Sequence, residues 1–340
     1  MTDTADNNKP SKVTVVDVAR LAGVSAMTVS RVLNTPDSVP APTVQRVREA
    51  VDQLGYVRNR LAGSLRSARS QLVAAVVPTL SGPIFLESID ALNAGLARRG
   101  YHLIVAQGGY ADHDRREDEL LSDLLSRRPD ALVLTGTLHS AQAKRRLLSA
   151  GIPVLEIWDL SNDPIDMLIG FSHEAVGAAV AQQFQAGGRR RLALIGGDDA
   201  RSQRRWASFR QRALDLGLDE PHAEFVPAPA RLGDGRRALR RLLQARPGVD
   251  ALFCSSDMMA AGVLIEAQAQ GLAVPGRLAV VGFGDLNFAA DLEPALSTVR
   301  IDAQRIGELA AETLVRRLGG QALPQRIVDV GFELVRRASG

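Results

Sequence analysis

Apolar positions recur through the first sixty residues at a helical period, and through the rest of the chain as short continuous runs. Val15, Val18, Ala19 and Ala22 fall on one helix face. Thr14, in the pattern Thr14-Val-Val-Asp17, supplies a capping signal in front of them, and Gly23 interrupts the stripe. Ser25 is an N-cap for a second helix predicted over Ala26–Leu33, with Val29, Val32 and Leu33 facing inward. A third helix is predicted over Thr43–Leu54, where Val44, Val47, Val51 and Leu54 share a face and Gly55 is a natural stop. Two short helices joined by a tight glycine-containing turn make a helix-turn-helix, so residues 13–57 are read as an all-α head behind a disordered tail of residues 1–12.

From residue 71 the pattern changes. Leu72–Val77, His102–Ala106, Ala131–Leu134 and Pro153–Ile157 are apolar runs of the length and composition of buried parallel strands. Arg191–Ile195, Ala251–Cys254 and Leu278–Gly282 form a second set, and amphipathic segments such as Phe85–Arg99 and Ser172–Gln185 lie between. A strand–helix series built twice predicts an α/β core, residues 71–340, of two doubly wound parallel-sheet subdomains with a ligand cleft between them. The expected division is an N-subdomain of about 71–167 and 299–324 and a C-subdomain of about 168–298 and 325–340.

Charge adds a direction to this plan. Residues 1–70 hold ten Lys/Arg against six Asp/Glu, whereas the remaining 270 hold 31 against 32. The net +3 of the chain therefore sits at its front, where a polyanionic partner would release counterions on binding. Cys254 is the one cysteine, which leaves no disulfide framework and no thiolate metal cluster within the chain. No run of 18 apolar residues occurs and Met1–Lys12 is polar, so no membrane association and a cytoplasmic, unprocessed protein are expected.

In a helix-turn-helix the second helix enters the major groove with its N-terminal residues toward base edges. Arg31 can fork onto guanine, Thr28 and Ser30 can meet phosphate or base, and Ala26 and Met27 offer contacts to thymine methyls. The segment Val13-Thr-Val-Val-Asp-Val-Ala-Arg-Leu-Ala-Gly-Val-Ser-Ala-Met-Thr-Val-Ser-Arg-Val-Leu-Asn34, with Leu54-Gly-Tyr-Val-Arg-Asn59, resembles the head of the lactose/galactose repressor family. That resemblance implies groove-reading roles at Ala26, Met27 and Arg31, and roles in holding the DNA backbone and the fold at Asn34 and Tyr56. Thr14 and Ser25 are counted with the DNA-binding set.

Residues 58–70, including Asn59-Arg-Leu-Ala-Gly-Ser-Leu65, resemble the family's hinge helix. Gly63 and the flanking serines oppose an isolated short helix, so a segment that folds on docking is expected. By the resemblance, paired hinges of a homodimer enter the minor groove of a near-palindromic operator. Asn59, Arg60 and Ala62 would line the contact, and Leu65 would wedge a base step. Arg58 stands where the family usually has proline, which adds a cation and loosens the entry to the hinge.

Family landmarks continue through the core in Gly151-Ile-Pro153, Ser255-Ser-Asp257, Gly271–Pro275, Val281-Gly-Phe283 and Pro294–Thr298, and the core is similar to periplasmic sugar-binding proteins. Ligands of such sheets bind beyond the strands' carboxyl ends. The candidate effector residues there are Phe85, Thr135, His139, Glu156, Trp158, Asp159, Arg201, Arg205, Ser256, Asp257 and Asp285. Trp158 offers an apolar face to a ring or chain, and the arginines suit a carboxylate, which the guanidinium fork binds bidentately. Gly284 replaces an aspartate found in many family members and so removes a negative charge from the cleft. Thr135 with His139, Glu156, Asp159, Asp166 with Ile169-Gly-Phe171, and Val328–Phe332 make the chain resemble gluconate-operon repressors. The resemblance implies an effector of the sugar-acid class, such as gluconate, its 6-phosphate or 2-ketogluconate.

Enzyme signatures are missing. The first strand is followed by Val77-Pro-Thr-Leu-Ser-Gly82 rather than a dinucleotide fingerprint, and the chain has no Walker loop, H-E-x-x-H or G-x-S-x-G. Its five histidines (His102, His113, His139, His173, His222) lack metal spacing, so neither catalysis nor a cofactor is expected. A transport-type sugar-binding protein would explain the core but not the helix-turn-helix. Without a heptad tail before Gly340, assembly beyond a dimer through a terminal coiled coil is not expected.

Overall fold

Thr14 and Asp17 close a reciprocal capping box at the start of α1 (Val15–Ala22): Thr14 N donates to Asp17 Oδ2 at 3.0 Å and Asp17 N to Thr14 Oγ1 at 3.4 Å. The computed structural model describes residues 13–57, 69–110 and 113–340. Expectations for the tail and for Asn59, Arg60, Ala62 and Leu65 fall outside the described residues. The chain divides into two units at Ser70/Gln71.

In the first unit Gly23 ends α1 in the left-handed conformation, a φ of 65° that residues with a Cβ rarely adopt. Ser25 then caps α2 (Ala26–Asn34), accepting from Thr28 N at 3.1 Å. The third helix, α3, starts at Ala41, two residues before the expected Thr43, because Pro40 and Pro42 suit a first turn whose N–H groups have no helical partner. Val18, Val29, Val32 and Val47 close the small core of this unit, with Tyr56 packed on its edge.

The second unit holds two six-stranded sheets. The first runs in the order β11-β5-β4-β3-β1-β2, with β1 (Leu72–Val77), β2 (His102–Gln107), β3 (Ala131–Thr135), β4 (Val154–Ile157), β5 (Met167–Gly170) and β11 (Ile327–Asp329), all parallel. The second runs β12-β10-β9-β8-β6-β7, with β6 (Leu192–Gly197), β7 (His222–Val226), β8 (Ala251–Cys254), β9 (Ala279–Gly284), β10 (Ser297–Arg300) and an antiparallel β12 (Glu333–Val335). Central strands such as β1, β3 and β8 are apolar on both faces because helices cover both.

Those helices are α4 (Leu86–Ala97), α5 (His113–Ser126), α6 (Ala141–Ala150), α7 (His173–Ala186), α8 (Ala200–Asp215), α9 (Leu232–Ala245), α10 (Asp257–Ala269) and α11 (Ala303–Leu318). Ser140, Ser172, Asp199, Ser256 and Asp302 cap five of them through side-chain oxygens. Helix α11 packs on α4 through Ile306, Ala310 and Leu314 against Leu92 and Leu96, all fully buried. Each such leucine contributes about 1.5–3 kcal/mol by burial.

The two lobes exchange chain beyond the expected boundaries. Strand β5 keeps residues up to 170 in the first sheet, and β11 returns residues 327–329 to it, so neither boundary lies where it was expected, at 167 and at 324. Both strands are short, and β11 is a half-exposed edge, which left little apolar signal to place them. Carboxyl ends of strands from both sheets face one cleft: Thr79 follows β1, Trp158 follows β4, Ala228 follows β7, and Ser255 follows β8.

Candidate functional site

On α2 the second residue, Met27, is 67% exposed, and Ser30 and Arg31 are also exposed. Arg31 has no ion-pair partner among the described residues, so its fork is free to meet a ligand. Thr28 and Ser25 share a hydrogen bond of 2.9 Å between hydroxyls, and Asn34 Nδ2 donates to Ser30 O at 2.6 Å, so these four also hold the helix and its ends. Ala26 is half-buried, and Tyr56 is part of the core. The face left open is polar with one prominent apolar tip, Met27.

The cleft has two chambers. The first encloses about 110 Å³ and is apolar, walled by Ile84, Phe85, Trp158, Met258, Met259, Phe283 and Leu286. Thr79, Tyr110, His173, Ser202, Arg205 and Ser256 place polar groups in it. The second, about 150 Å³, is the more polar of the two, with Thr135, Thr137, Asp159, Asp198 and Asp199 beside Pro78 and Leu138. Tyr110, Asp199 and Arg201 line both.

Helix α8 carries the cations. Asp199 caps it, accepting from Arg201 N at 3.0 Å and Ser202 N at 3.1 Å. Arg201, Arg204 and Arg205 stand at i, i+3 and i+4, one face of the helix. Arg201 donates to Thr135 O at 2.8 Å and lies 5.5 Å from the Phe85 ring centre. Gly136, at a φ of 107°, makes room, since a Cβ there would meet the Arg201 guanidinium at 2.9 Å. Arg204 meets Asp159 at 2.6 Å across the lobes.

Arg205 is buried over the Phe283 ring at 4.2 Å, with Nη1 donating to His173 Nδ1 at 2.9 Å and Nη2 near Ser202 Oγ and Ser255 O at 3.3 and 3.4 Å. Its burial lowers the guanidinium pKa to about 10. Burial, with the Arg205 charge beside it, holds His173 well below the usual imidazole range. A neutral ring accepts from Arg205 at Nδ1 and donates from Nε2 to Trp158 O at 3.2 Å. Neither Arg201 nor Arg205 has a carboxylate within 4 Å among the described residues, and the Nε of each is buried with no acceptor. Two cations, Arg205 buried and Arg201 half-buried, that touch no carboxylate leave an opening for one to be supplied from outside.

Several expected effector residues sit elsewhere. His139 and Glu156 are outside the lining: His139 is clamped between Glu117 at 2.6 Å and Glu156 at 3.2 Å, and Glu156 Oε2 accepts from Ile165 N. Burial opposes the charge on His139, but the two carboxylates outweigh it and raise the pKa to about 9. Asp257 is fully buried behind the wall, accepting from Thr298 Oγ1 at 2.6 Å and Leu286 N at 2.7 Å, and its burial raises the pKa to about 6. Asp285 is consumed by ion pairs to Arg300 and Arg337, both at 2.7 Å; burial opposes its charge, and these two cations still hold it below the usual carboxylate range. In each case a charged residue near a strand end found an internal partner that spacing does not reveal.

Phe85, Trp158, Arg201, Arg205 and Ser256 are brought together in the apolar chamber, and Thr135 and Asp159 in the polar one. Trp158 offers less face than expected: it is 2% exposed, donates from Nε1 to Ser88 Oγ at 2.9 Å, and packs edge-on against Phe85 and Phe171. Sequence reasoning missed Tyr110, Asp199 and His173. A capping aspartate in front of three arginines was a legible signal for the second of these.

A three-helix head with an open recognition helix, joined to a two-lobed core with a cleft at its strand ends, defines a regulator that couples a nucleic-acid reader to a binding-protein core. Residues 14–59 match the model of bacterial regulatory proteins, lacI family, and residues 181–340 that of the periplasmic binding protein-like domain. The chain is 37% identical over 328 residues to the transcriptional regulator GntR of Pseudomonas aeruginosa, covering 96% of this chain and 95% of that protein. It is 31% identical over 327 residues to GntR of Escherichia coli, covering 96% and 98%. The crystal structure of a LacI-family transcriptional regulator from Silicibacter pomeroyi matches with a TM-score of 0.90 at 33% identity, over 96% of this chain and 99% of that one. The operator-bound lac repressor dimer shares the fold, with a TM-score of 0.82 at 24% identity over 97% and 99%. The chain belongs to the lacI family of bacterial regulatory proteins and is a DNA-binding transcriptional regulator.

Proposed function

We propose that this regulator is a homodimeric repressor whose hold on a near-palindromic operator is controlled by a sugar acid of the gluconate, 6-phosphogluconate or 2-ketogluconate type. The observation that carries the reading is the pair Arg201 and Arg205, cationic, lining an apolar chamber, and lacking a carboxylate among the described residues. An acid's carboxylate supplies the missing acceptor, with two charge-assisted hydrogen bonds in a low-dielectric site. The adjoining polar chamber, with Thr135, Thr137 and Asp198, accepts hydroxyl donors along a polyol chain. Likeness to regulators named GntR supports the same reading. Ala26, Met27, Thr28 and Arg31 read the major groove, and two-fold symmetry of the protein imposes two half-sites on the DNA.

Calorimetric titration of the purified protein against the three acids and against neutral sugars of the same length tests the effector class. Binding of an acid, with release of DNA in a gel-shift assay, is the expected result. Binding of neutral sugars alone would refute it.

A further inference from the structure

A parallel α/β lobe has two unlike edges. The strands' carboxyl ends form the cleft, while their amino ends, together with the helices' carboxyl ends, form the opposite edge. In the first lobe that opposite edge is stitched around the start of β1. His102 N donates to Gln71 O at 2.8 Å, Asp130 N to Leu72 O at 2.7 Å, and Gln71 N to the Asp130 carboxylate at 2.9 Å. The segments so joined carry Arg98 and Arg99 just after α4, and Arg127 and Arg128 just after α5. All four are exposed, and among the described residues none of their side chains meets a carboxylate or a hydrogen-bond acceptor. Arg98 and Arg99 open onto a groove between α4 and α11 whose acids are already neutralised, Glu308 by Arg305 at 3.9 Å and Glu312 by Arg316 at 3.0 Å.

Cations after a helix complement its dipole, which explains one arginine per helix end but not two at each. The corresponding edge of the second lobe shows what structural arginines look like. There Arg189 donates to Gly276 O at 3.2 Å, Arg277 to Val249 O and Pro247 O, and Arg191 faces Asp250 at 3.9 Å. The first lobe's four have no such work.

Guanidinium groups of this kind are suited to phosphate oxygens, and a row of them to a polyanion. The chain itself brings one. Residues 58–70 tether the DNA-reading head to β1, and thirteen residues span at most about 45 Å even when extended. DNA held by the head is thus at high effective concentration for this edge. We infer that the amino-end edge of the first lobe is a second, sequence-independent contact for double-stranded DNA, with Arg98, Arg99, Arg127 and Arg128 taking phosphates that flank the site held by the head.

The test uses the full-length protein and a duplex it has selected from a random pool, with about ten base pairs of flank on each side, one helical turn. Affinity is measured by fluorescence anisotropy over a range of KCl concentrations. The variant Arg98→Gln/Arg99→Gln/Arg127→Gln/Arg128→Gln is expected to flatten the plot of log affinity against log salt by about 0.9 for each phosphate it no longer neutralises, roughly 2 to 4 phosphates per subunit. Its affinity should fall equally on selected and scrambled duplexes. The four corresponding Arg→Lys changes should keep the slope, and the two double Arg→Gln variants should each take about half of it, which separates a change of charge from a failure to fold. A wild-type slope in the quadruple Arg→Gln protein would overturn the proposal and leave the edge to an acidic protein partner. So would a loss of affinity confined to the selected sequence with the slope intact.

Discussion

Replacing Arg205 by methionine should weaken binding of the acid by one to two orders of magnitude while leaving the fold's stability nearly unchanged. Two opposing quantities set this. Burial lowers the guanidinium pKa from its ordinary value to about 10, a differential of about 3 kcal/mol against the charged form at 1.36 kcal/mol per unit. Since the group is charged at every pH below 10, that penalty is present throughout the neutral and acid range and is relieved only above it. Methionine removes the penalty and keeps the length of the stem. It also removes the 2.9 Å hydrogen bond to His173, two longer ones, and the stacking on Phe283. Those losses amount to about 1 kcal/mol for the hydrogen bond and about 1–2 for the cation over the ring. The balance lies within about 1 kcal/mol of zero, a melting-temperature change of no more than about 2–4 °C.

Binding has no such compensation. A charge-assisted hydrogen bond to a desolvated carboxylate is worth about 1.5–3 kcal/mol, so losing the one that the Arg205 Nε supplies costs about ten- to a hundredfold in Kd. Calorimetric titration and thermal denaturation of the same preparations provide both readouts. Wild-type affinity in Arg205→Met would show that the carboxylate is held elsewhere. A loss of more than about 3 kcal/mol of stability, the size of a broken buried charge network, would show that Arg205 is a keystone of the fold rather than a receptor for an anion.

Three further outcomes follow from the same geometry. Arg204→Met leaves Asp159, 2% exposed, with Thr137 and the Leu160 amide as its donors among the described residues; because Arg204 is itself 24% exposed, the expected loss is about 1–3 kcal/mol by denaturant titration. His139 titrates near 6.5 unfolded and about 9 folded, so its stabilisation, about 3 kcal/mol, is full below pH 6.5 and lost as pH rises through 9. His139→Gln should therefore flatten the stability profile between those values, and an unaltered profile would contradict the clamp. Gly177→Ala should destabilise by about 1–3 kcal/mol, because its Cβ would lie 2.2 Å from Arg205 O and 2.2 Å from Ser208 Oγ where α7 packs on α8. The resulting shift of α8 should also lower affinity for the acid.

Local pattern carried the fold a long way. The stripe Val15, Val18, Ala19, Ala22 and the caps Thr14 and Ser25 act within a few residues, and helices α1 and α2 start where those signals put them. Fully buried strands such as β1 and β8 declare themselves by continuous apolar runs. Three of the four edge strands do not, β2 being the exception: β7, β11 and β12 are half-exposed and short, and the pairing of β11 is decided by a neighbour more than a hundred residues away. The site divides the same way. A cluster of arginines at the head of a helix is visible in sequence, but which of them is already neutralised is not. Asp159 and Arg204 are 45 residues apart, and Glu117 and His139 are 22. Spacing identified the charges near the strand ends, and tertiary pairing then removed His139, Glu156, Asp257 and Asp285 from the lining.

That pairing leads to a prediction whose sign separates two views of the cleft. Asp159 is an anion beside a chamber proposed to receive an anion, so simple field reasoning says that Asp159→Asn should tighten binding of the acid. The structure argues the reverse. Asp159 belongs to the first lobe and meets Arg204 of the second, on the same helix face from which Arg201 and Arg205 address the chamber. A ligand that spans both lobes binds the arrangement in which Arg204 and Asp159 are together, and weakening that pair depopulates it. If the pair contributes about 1–2 kcal/mol to the arrangement, Asn at 159 should weaken the acid by about five- to thirtyfold. The neutral cation–carboxylate pair also presents little net field to the chamber, so its loss from one side bares Arg204 to solvent rather than to the ligand. Titration of Asp159→Asn with the acid decides the matter, and tighter binding would mean that the field of the carboxylate, not the joining of the lobes, governs the site.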